Sequence, residues 1–371
     1  MKLLILSGNT GAGHNSCAKA VQEYCMAQGT PCDIEDGLSY ISPGASDFVS
    51  RWHTRIYRYL PSINREGYGY SEEHGDRSRD FTPVYRLLLP GAERLRLHIL
   101  DEHYDAVLCT HVFAALILTA MQLEDPLPIR TAFLATDYTC SPLVDKCGLD
   151  ALFIPHEALI PEFVSWGLDR DKLKVTGIPV RREFLSKEEK DRAKEQCGID
   201  PRKTHLLVMC GSMGCGPIPE LVDRLQEKMT EDMALTVICG TNESLYKKLL
   251  GEPKGPETLN VLKYTDQVSR YMDSADLYLT KPGGISVTEA AVKGLPMVFV
   301  DAVAGCESHN LDFFVSRSAA ATAGDPEALA QICVDLLRNQ EKRQMMVKNL
   351  QSLSPGDGAA RIYYALRKHE R

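Results

Sequence analysis

The 371-residue chain has no long hydrophobic run, no paired cysteine motif and no excess of basic charge. Its longest apolar stretch, Ala106 to Met121, falls short of the ~20 residues that span a bilayer and contains His111. At the start, "MKLLIL" is apolar for four residues before Ser7 and Gly8, too few for the core of a secretory signal. The twelve cysteines are scattered without a CxxC pair. That spacing excludes a disulfide scaffold and a zinc ribbon and predicts small buried hydrophobes in a reducing compartment. With 50 acidic residues against 42 Lys and Arg, the net charge of −8 also excludes a general nucleic-acid binder. A cytoplasmic chain is expected, one that meets a membrane only from its surface.

What remains is ordinary globular material. At ~150 residues per domain, a chain of this length, 44% hydrophobic and 25% charged, suits two cores rather than one. The charge is uneven. Residues 51 to 100 carry nine Arg, no Lys and six acidic residues, a local +3 within a chain of −8. A basic island on an acidic protein points to one specific anionic partner.

Apolar runs alternate with helical-period segments. "KLLILS" (Lys2 to Ser7) reads as a buried strand, followed by a Gly-rich turn and a helix from about Ser16 to Gln28. "DAVLCT", "RTAFLAT" and "ALFIP" read as further strands, and a second set runs through "HLLVMCGSMG", "ALTVICG", "DLYLTKPGG" and "PMVFVDA". This alternation predicts an α/β protein with parallel sheets covered by helices on both faces. The expected architecture is two Rossmann-like domains facing each other across a cleft, residues 1–180 and 181–356. A charged linker near 177–204 joins them, and a terminal helix over 357–371 packs back on the first. The stretch from Pro43 to Pro90 breaks the rhythm with Pro, Gly and aromatics, and so long an irregular insertion reads as functional.

Ligands of open α/β sheets bind beyond the carboxyl ends of strands, where three Gly-rich turns fall. In "SGNTGAGHNS", Gly8, Gly11 and Gly13 can crowd backbone N–H groups around an anion, with His14 at the helix mouth. The turn lacks the Lys-Ser/Thr of a Walker loop and the GxGxxG spacing, and a plain tight turn with an exposed His14 is the alternative. "CGSMGCG" repeats the device with Gly211, Ser212 and Gly214, again with a plain turn as the alternative. The sharpest signal is Leu279 to Asn310. There Gly283 and Gly284 open a helix expected near Ser286, which is a candidate N-cap with Glu289 at capping-box spacing. The other reading of Glu289 is a carboxylate that accepts two ribose hydroxyls. Glu307 and Asn310 follow on a loop as polar groups able to read sugar hydroxyls. Two such helix mouths fit a nucleoside diphosphate better than a metal cluster. No Asp-x-Asp motif stands where a metal-dependent sugar transferase carries one, so no metal and no cofactor are expected.

"SGNTGAGHNSCAKA" resembles the amino-terminal signature of the monogalactosyldiacylglycerol synthase and processive diacylglycerol glucosyltransferase family. "TKPGGISVTEAAVKGLPMVFVDAVAGCESHN" is similar to its donor signature, shared more distantly with the N-acetylglucosaminyltransferase of the lipid II pathway. "VTGIPVRREF" and "LATDY" match in order and spacing. The resemblance implies a GT-B fold and inverting transfer of a hexose, glucose or galactose, from a UDP-sugar to diacylglycerol. It implies Gly211 and Ser212 at the phosphates with Arg181 adding charge. Lys281, Gly283, Gly284 and Ser286 would line the nucleotide site, with Glu289 on the ribose and Glu307 and Asn310 on the sugar. His14 and Asp137 would lie on the acceptor side, beside the Gly11 and Gly13 loop. One departure stands out: the family's Pro-Gly-Gln-Glu is here Ala304-Gly305-Cys306-Glu307, which replaces an amide by a thiol.

Either His14 or Asp137 can take the acceptor proton; the residue types do not choose between them. Residues 51–70 interleave Arg51, Arg55 and Arg58 with Trp52, Tyr57 and Tyr59. That pattern suits peripheral docking on anionic lipids at the cytoplasmic face, and a helix whose aromatic face packs on the core is the alternative. Two other functions fit the same residues: an isomerase like UDP-N-acetylglucosamine 2-epimerase, and a non-catalytic UDP-sugar sensor.

Overall fold

The computed structural model describes residues 1–8, 12–42, 44, 82–211, 217–251, 259–300 and 305–367. In chain order it begins with β1 (Leu3–Ser7), α1 (Ala12–Ala27), β2 (Cys32–Asp36), α2 (Thr82–Glu102), β3 (Ala106–Cys109), α3 (Val112–Glu124), β4 (Arg130–Leu134), β5 (Ala151–Ile154), α4 (Ile160–Ser165) and β6 (Leu173–Val175). It continues with α5 (Arg182–Leu185), α6 (Lys190–Gln196), β7 (Thr204–Met209), α7 (Ile218–Lys228), β8 (Met233–Ile238), α8 (Glu243–Leu250), β9 (Leu259–Leu262) and α9 (Val268–Ser274). The remaining elements are β10 (Leu277–Thr280), α10 (Gly284–Lys293), β11 (Met297–Phe299), α11 (Cys306–Val315), β12 (Ala320–Thr322), α12 (Pro326–Arg338), α13 (Gln340–Leu353) and α14 (Gly358–Arg367).

The strands form two six-stranded sheets, ordered β2-β1-β3-β4-β5-β6 and β12-β11-β10-β7-β8-β9. Every pairing is parallel, as strand–helix–strand crossovers require. Central strands are apolar because helices cover both their faces: all five residues of β1 and all six of β8 are buried. In the second sheet Leu206, Val208, Leu235, Val237, Leu277 and Leu279 pack beneath Leu221 and Leu225 of α7 and Cys333 and Leu337 of α12. The eleven described cysteines are all unpaired, and ten of them are buried.

The chain divides into two compact units. One comprises Met1–Arg182, Pro355–Arg371 and the short stretch Ala304–Cys306; the other comprises Glu183–Val303 and Glu307–Ser354. In the first, α14 lies against α1, with the Tyr24 and Tyr363 rings 5.5 Å apart and the Tyr363 hydroxyl 3.1 Å from Thr30 Oγ1. The irregular insertion expected up to Pro90 ends earlier than its composition suggests, because α2 begins at Thr82 and runs through Pro90. Pro90 is on the exposed side, whereas Leu88, Ala92, Leu95 and Ile99 are buried at helical spacing, so packing outweighs the one lost backbone bond.

The charged stretch expected to be a linker is largely built into the second unit. Asp273 on α9 and Lys293 at the end of α10 are 4% and 1% exposed, with Oδ2 and Nζ 2.6 Å apart. The same ammonium donates to the Ser186 carbonyl at 2.5 Å, and the same carboxylate accepts the Glu188 amide at 3.2 Å. One turn on, Asp276 takes Lys190 at 2.7 Å and Lys194 at 3.1 Å. Asp276 thus neutralises two lysines of the stretch, and Asp273 ties its backbone to the buried Lys293. Lys293→Met leaves Asp273 buried without its cation and is expected to cost about 3–5 kcal/mol, read as a lower urea midpoint. Adding Asp273→Leu should restore much of that loss, and a midpoint unmoved by Lys293→Met would show that the pair contributes nothing.

Candidate active site

The direction of the first sheet reverses between β1 and β3, and the described candidates on the acceptor side gather at the carboxyl ends of these strands and of β4. His14 is the third residue of α1, which begins at Ala12, four residues before the expected start near Ser16. Its Nδ1 lies 2.5 Å from the carbonyl oxygen of Thr110, the residue after β3. A carbonyl only accepts, so Nδ1 carries the proton and the lone pair sits on Nε2. Thr136 Oγ1 lies 3.4 Å from the same nitrogen, and the His111 ring stands edge-on with centroids 4.9 Å apart. Burial lowers the His14 pKa below the ordinary histidine value, while the Asp137 charge and the Thr110 bond oppose the shift without cancelling it. The imidazole is therefore neutral at neutral pH, in the form a general base needs.

The hydrogen bond that orients His14 comes from Thr110, which the residue pattern did not single out; the charge comes from Asp137. Thr110 is wholly buried, and its hydroxyl donates to Ser7 Oγ at 3.2 Å. Ser7 donates in turn to Asn15 Oδ1 at 2.6 Å. This chain ties α1 to β1 and β3 and fixes the helix start early. Gly13 sits in the first turn of α1, where N–H groups lack helical partners. Gly11 lies outside the described residues.

The second sheet reverses between β7 and β10. Thr280 Oγ1 donates to the Met209 carbonyl at 2.7 Å, which ties these strand ends together. Gly211 follows β7 with φ +70°, a left-handed conformation that favours glycine; Ser212 lies outside the described residues. After β10, Gly283 is the N-cap of α10 and Gly284 its first residue. A side chain at Gly283 would meet nothing within 4 Å, so its absence keeps the helix mouth open rather than relieving a clash.

Three expectations for this half change. Ser286 is not the N-cap: it lies inside the first turn, because the extended backbone at Gly283 already starts the helix. Its hydroxyl instead bears on Tyr278, a buried phenol whose pKa burial pushes well above its usual value. Glu289, 6% exposed, is one turn too deep for a capping box, and its charge acts on Tyr278. Asn310 is fully buried and donates through Nδ2 to the Pro282 carbonyl at 2.9 Å. It therefore holds the turn before α10 from behind instead of facing a sugar. Lys281 and Glu307 are paired at 3.0 Å, with side chains 13% and 15% exposed.

Arg181 is half-buried and belongs to the first unit, whereas the other described donor-side candidates belong to the second. Arg51, Trp52, Arg55, Tyr57, Arg58 and Tyr59 lie outside the described residues. Among the described residues no helix is long and apolar enough to cross a membrane, and no group of three or more His, Cys, Asp or Glu could hold a metal ion. The residue pattern does not single out Thr110, His111, Thr136 or Tyr278. The signal for the first three was position, just after the carboxyl ends of β3 and β4.

The family model described as monogalactosyldiacylglycerol (MGDG) synthase matches residues 14–180, and that of the glycosyltransferase family 28 C-terminal domain matches residues 205–361. A protein of Staphylococcus saprophyticus named processive diacylglycerol beta-glucosyltransferase is 28% identical over 375 aligned positions, covering 99% of this chain and 90% of that one. The crystal structure of MurG from Acinetobacter baumannii matches with a TM-score of 0.65 at 16% identity over 99% of both chains. A putative UDP-N-acetylglucosamine 2-epimerase from Listeria monocytogenes matches with a TM-score of 0.66, also at 16% identity, over 100% of this chain and 96% of that one. These structural likenesses establish the GT-B fold and by themselves say nothing of the reaction. Two family models in order and relatives alike over nearly the whole length agree: the chain carries matches to the monogalactosyldiacylglycerol synthase and glycosyltransferase family 28 C-terminal domains and is similar from end to end to processive diacylglycerol glucosyltransferases.

Proposed function

We propose that the protein transfers a hexose, glucose or galactose, from a UDP-sugar to the free hydroxyl of diacylglycerol with inversion at the anomeric carbon. The observation that carries this reading is His14, whose Nδ1–H is committed to the Thr110 carbonyl at 2.5 Å and whose Nε2 lone pair is left as the base. The acceptor hydroxyl gives its proton to Nε2 as its oxygen bonds the anomeric carbon. The bond from that carbon to the UDP oxygen breaks, and its electron pair stays on the diphosphate. Asp137 steadies the imidazolium that results. No covalent enzyme intermediate is needed.

On the donor side the first-turn amides of α10, at Gly284 and Ser286, favour negative charge through the helix dipole. Gly211 and Ser212 take the phosphates, Arg181 adds charge, and Lys281 lines the nucleotide site. Glu289 takes the ribose and Glu307 the sugar. Fixed donors of this kind stabilise the departing diphosphate without a divalent ion. Diacylglycerol stays in the bilayer, so the Arg- and aromatic-rich segment around Arg51 to Tyr59 is assigned to docking on anionic lipid at the cytoplasmic face.

Labelled UDP-glucose and UDP-galactose, each with and without diacylglycerol vesicles, test the reading. Lipid-dependent glycolipid is expected; isomerised UDP-sugar would make the protein an epimerase, and binding without turnover would make it a sensor. EDTA should leave turnover unchanged, and sedimentation with vesicles should weaken with added salt and with loss of anionic lipid.

His14→Ala should lower kcat by ~10²–10⁴ while leaving UDP affinity nearly intact. Because burial depresses the His14 pKa, the acid limb of kcat/KM should lie below the ordinary ~6.5. Asp137→Asn removes a charge that raises that pKa, so the limb should move further down. Complete loss of turnover in Asp137→Asn at every pH would instead make Asp137 the base.

A further inference from the structure

His111 is a second imidazole beside His14 that the proposed reaction does not use. It is 8% exposed, and its place in the chain is unusual for a buried histidine: it is the N-cap of α3, with Nδ1 accepting the Phe113 amide at 3.3 Å. An acceptor carries no proton, so the hydrogen of a neutral His111 is on Nε2. The tautomers of the two rings are thus set by backbone groups, and they are opposite: His14 donates through Nδ1 and His111 accepts through it.

The space for the second ring is made at Gly8. A Cβ there would stand 2.7 Å from His111 Cδ2 and Cγ, closer than side chains tolerate. Gly8 immediately follows β1, and His111 follows Thr110, whose carbonyl holds His14. One face of the switch point is therefore cut back so that one ring can stand edge-on to the other, 4.9 Å between centroids and 71° between planes.

We propose that His111 is a positioning residue for His14: it wedges the half-buried imidazole against the Thr110 carbonyl and shields the side of the ring it covers from water, so that Nε2 remains the proton acceptor. The inference rests on the reading of His14 as base, and it also makes a claim about the ring's environment that stands apart from turnover. Among the described residues, the groups that bear on the His14 charge are Asp137 after β4, the Thr110 carbonyl after β3, the Thr136 hydroxyl and His111 itself. Of these, His111 contributes bulk and a fixed dipole rather than a net charge while it is neutral.

Two variants separate the ring from the cap. His111→Asn keeps a side chain that caps helices well and removes the ring. His111→Phe keeps a ring and removes the cap. The imidazole titration of His14, followed by NMR in each variant and checked for folding by thermal melting, is the primary readout. In His111→Asn the His14 titration should move up toward its ordinary value as water reaches the ring, with the acid limb of kcat/KM following it. There kcat should fall ~10–100-fold, with KM for the sugar donor unchanged. His111→Phe should melt earlier yet leave the His14 titration near that of the parent protein. A His14 titration identical in His111→Asn and the parent would overturn the inference, whatever the activity. If the titration moves while neither protein makes glycolipid, the positioning stands and the proposed transferase reaction falls.

Discussion

A parallel sheet covered by helices on both faces can place polar chemistry only at the ends of its strands. His14 obeys that constraint, and so does the bond that ties the strand ends of the second sheet. In the first unit the Thr110 carbonyl, at the end of β3, receives His14 from the helix that follows β1. In the second, Thr280 at the end of β10 donates to Met209 at the end of β7. Both junctions fall where the strand order reverses, so adjacent helices diverge and leave the strand ends uncovered. Chain reversal makes the opening, and buried hydroxyls such as Thr110 and Ser7 hold its rim.

The same constraint explains what could be read from the residues. All eight strands recognised as apolar runs are interior to the sheets, where β3 and β10 are buried at every residue. The four that escaped, β2, β6, β9 and β12, are the four edges. The edge strand β2 is the acidic sequence Cys-Asp-Ile-Glu-Asp, with one buried residue in five, and β9 has none fully buried. A strand with one covered flank need not be continuously apolar, so its pattern fades into that of a loop. Glycines at strand ends were legible because few other features put three in one turn. The side chains that orient them were not, because nothing in a threonine's neighbours tells which carbonyl it stands beside.

Helix starts show a related limit. Ser286 and Glu289 have capping-box spacing, but Gly283 supplies the extended backbone first, which leaves Ser286 inside the first turn. Asn310 carries a side chain suited to sugar hydroxyls, yet its amide is fully buried against Pro282. In both cases residue type stated what a group can bond, while its place in the fold decided what it does bond. The charged stretch after Arg182 follows the same rule. Its lysines look solvated in sequence, and Asp276 draws in Lys190 and Lys194.

A histidine serves as a base near neutrality only if two conditions hold together, and each alone works against the other. Its pKa must be low enough for the lone pair to be free, which burial supplies, and the cation formed after proton transfer must be tolerable, which burial opposes. At His14 the conflict is divided between different groups. Burial depresses the pKa, while the Thr110 carbonyl and the Asp137 charge favour the protonated ring without undoing the shift. The carbonyl favours it most strongly when Nδ1–H is polarised by a proton on Nε2, so its stabilisation grows as the transfer proceeds. A bond fixed by the backbone of β3 therefore orients the base before the reaction and stabilises it afterwards.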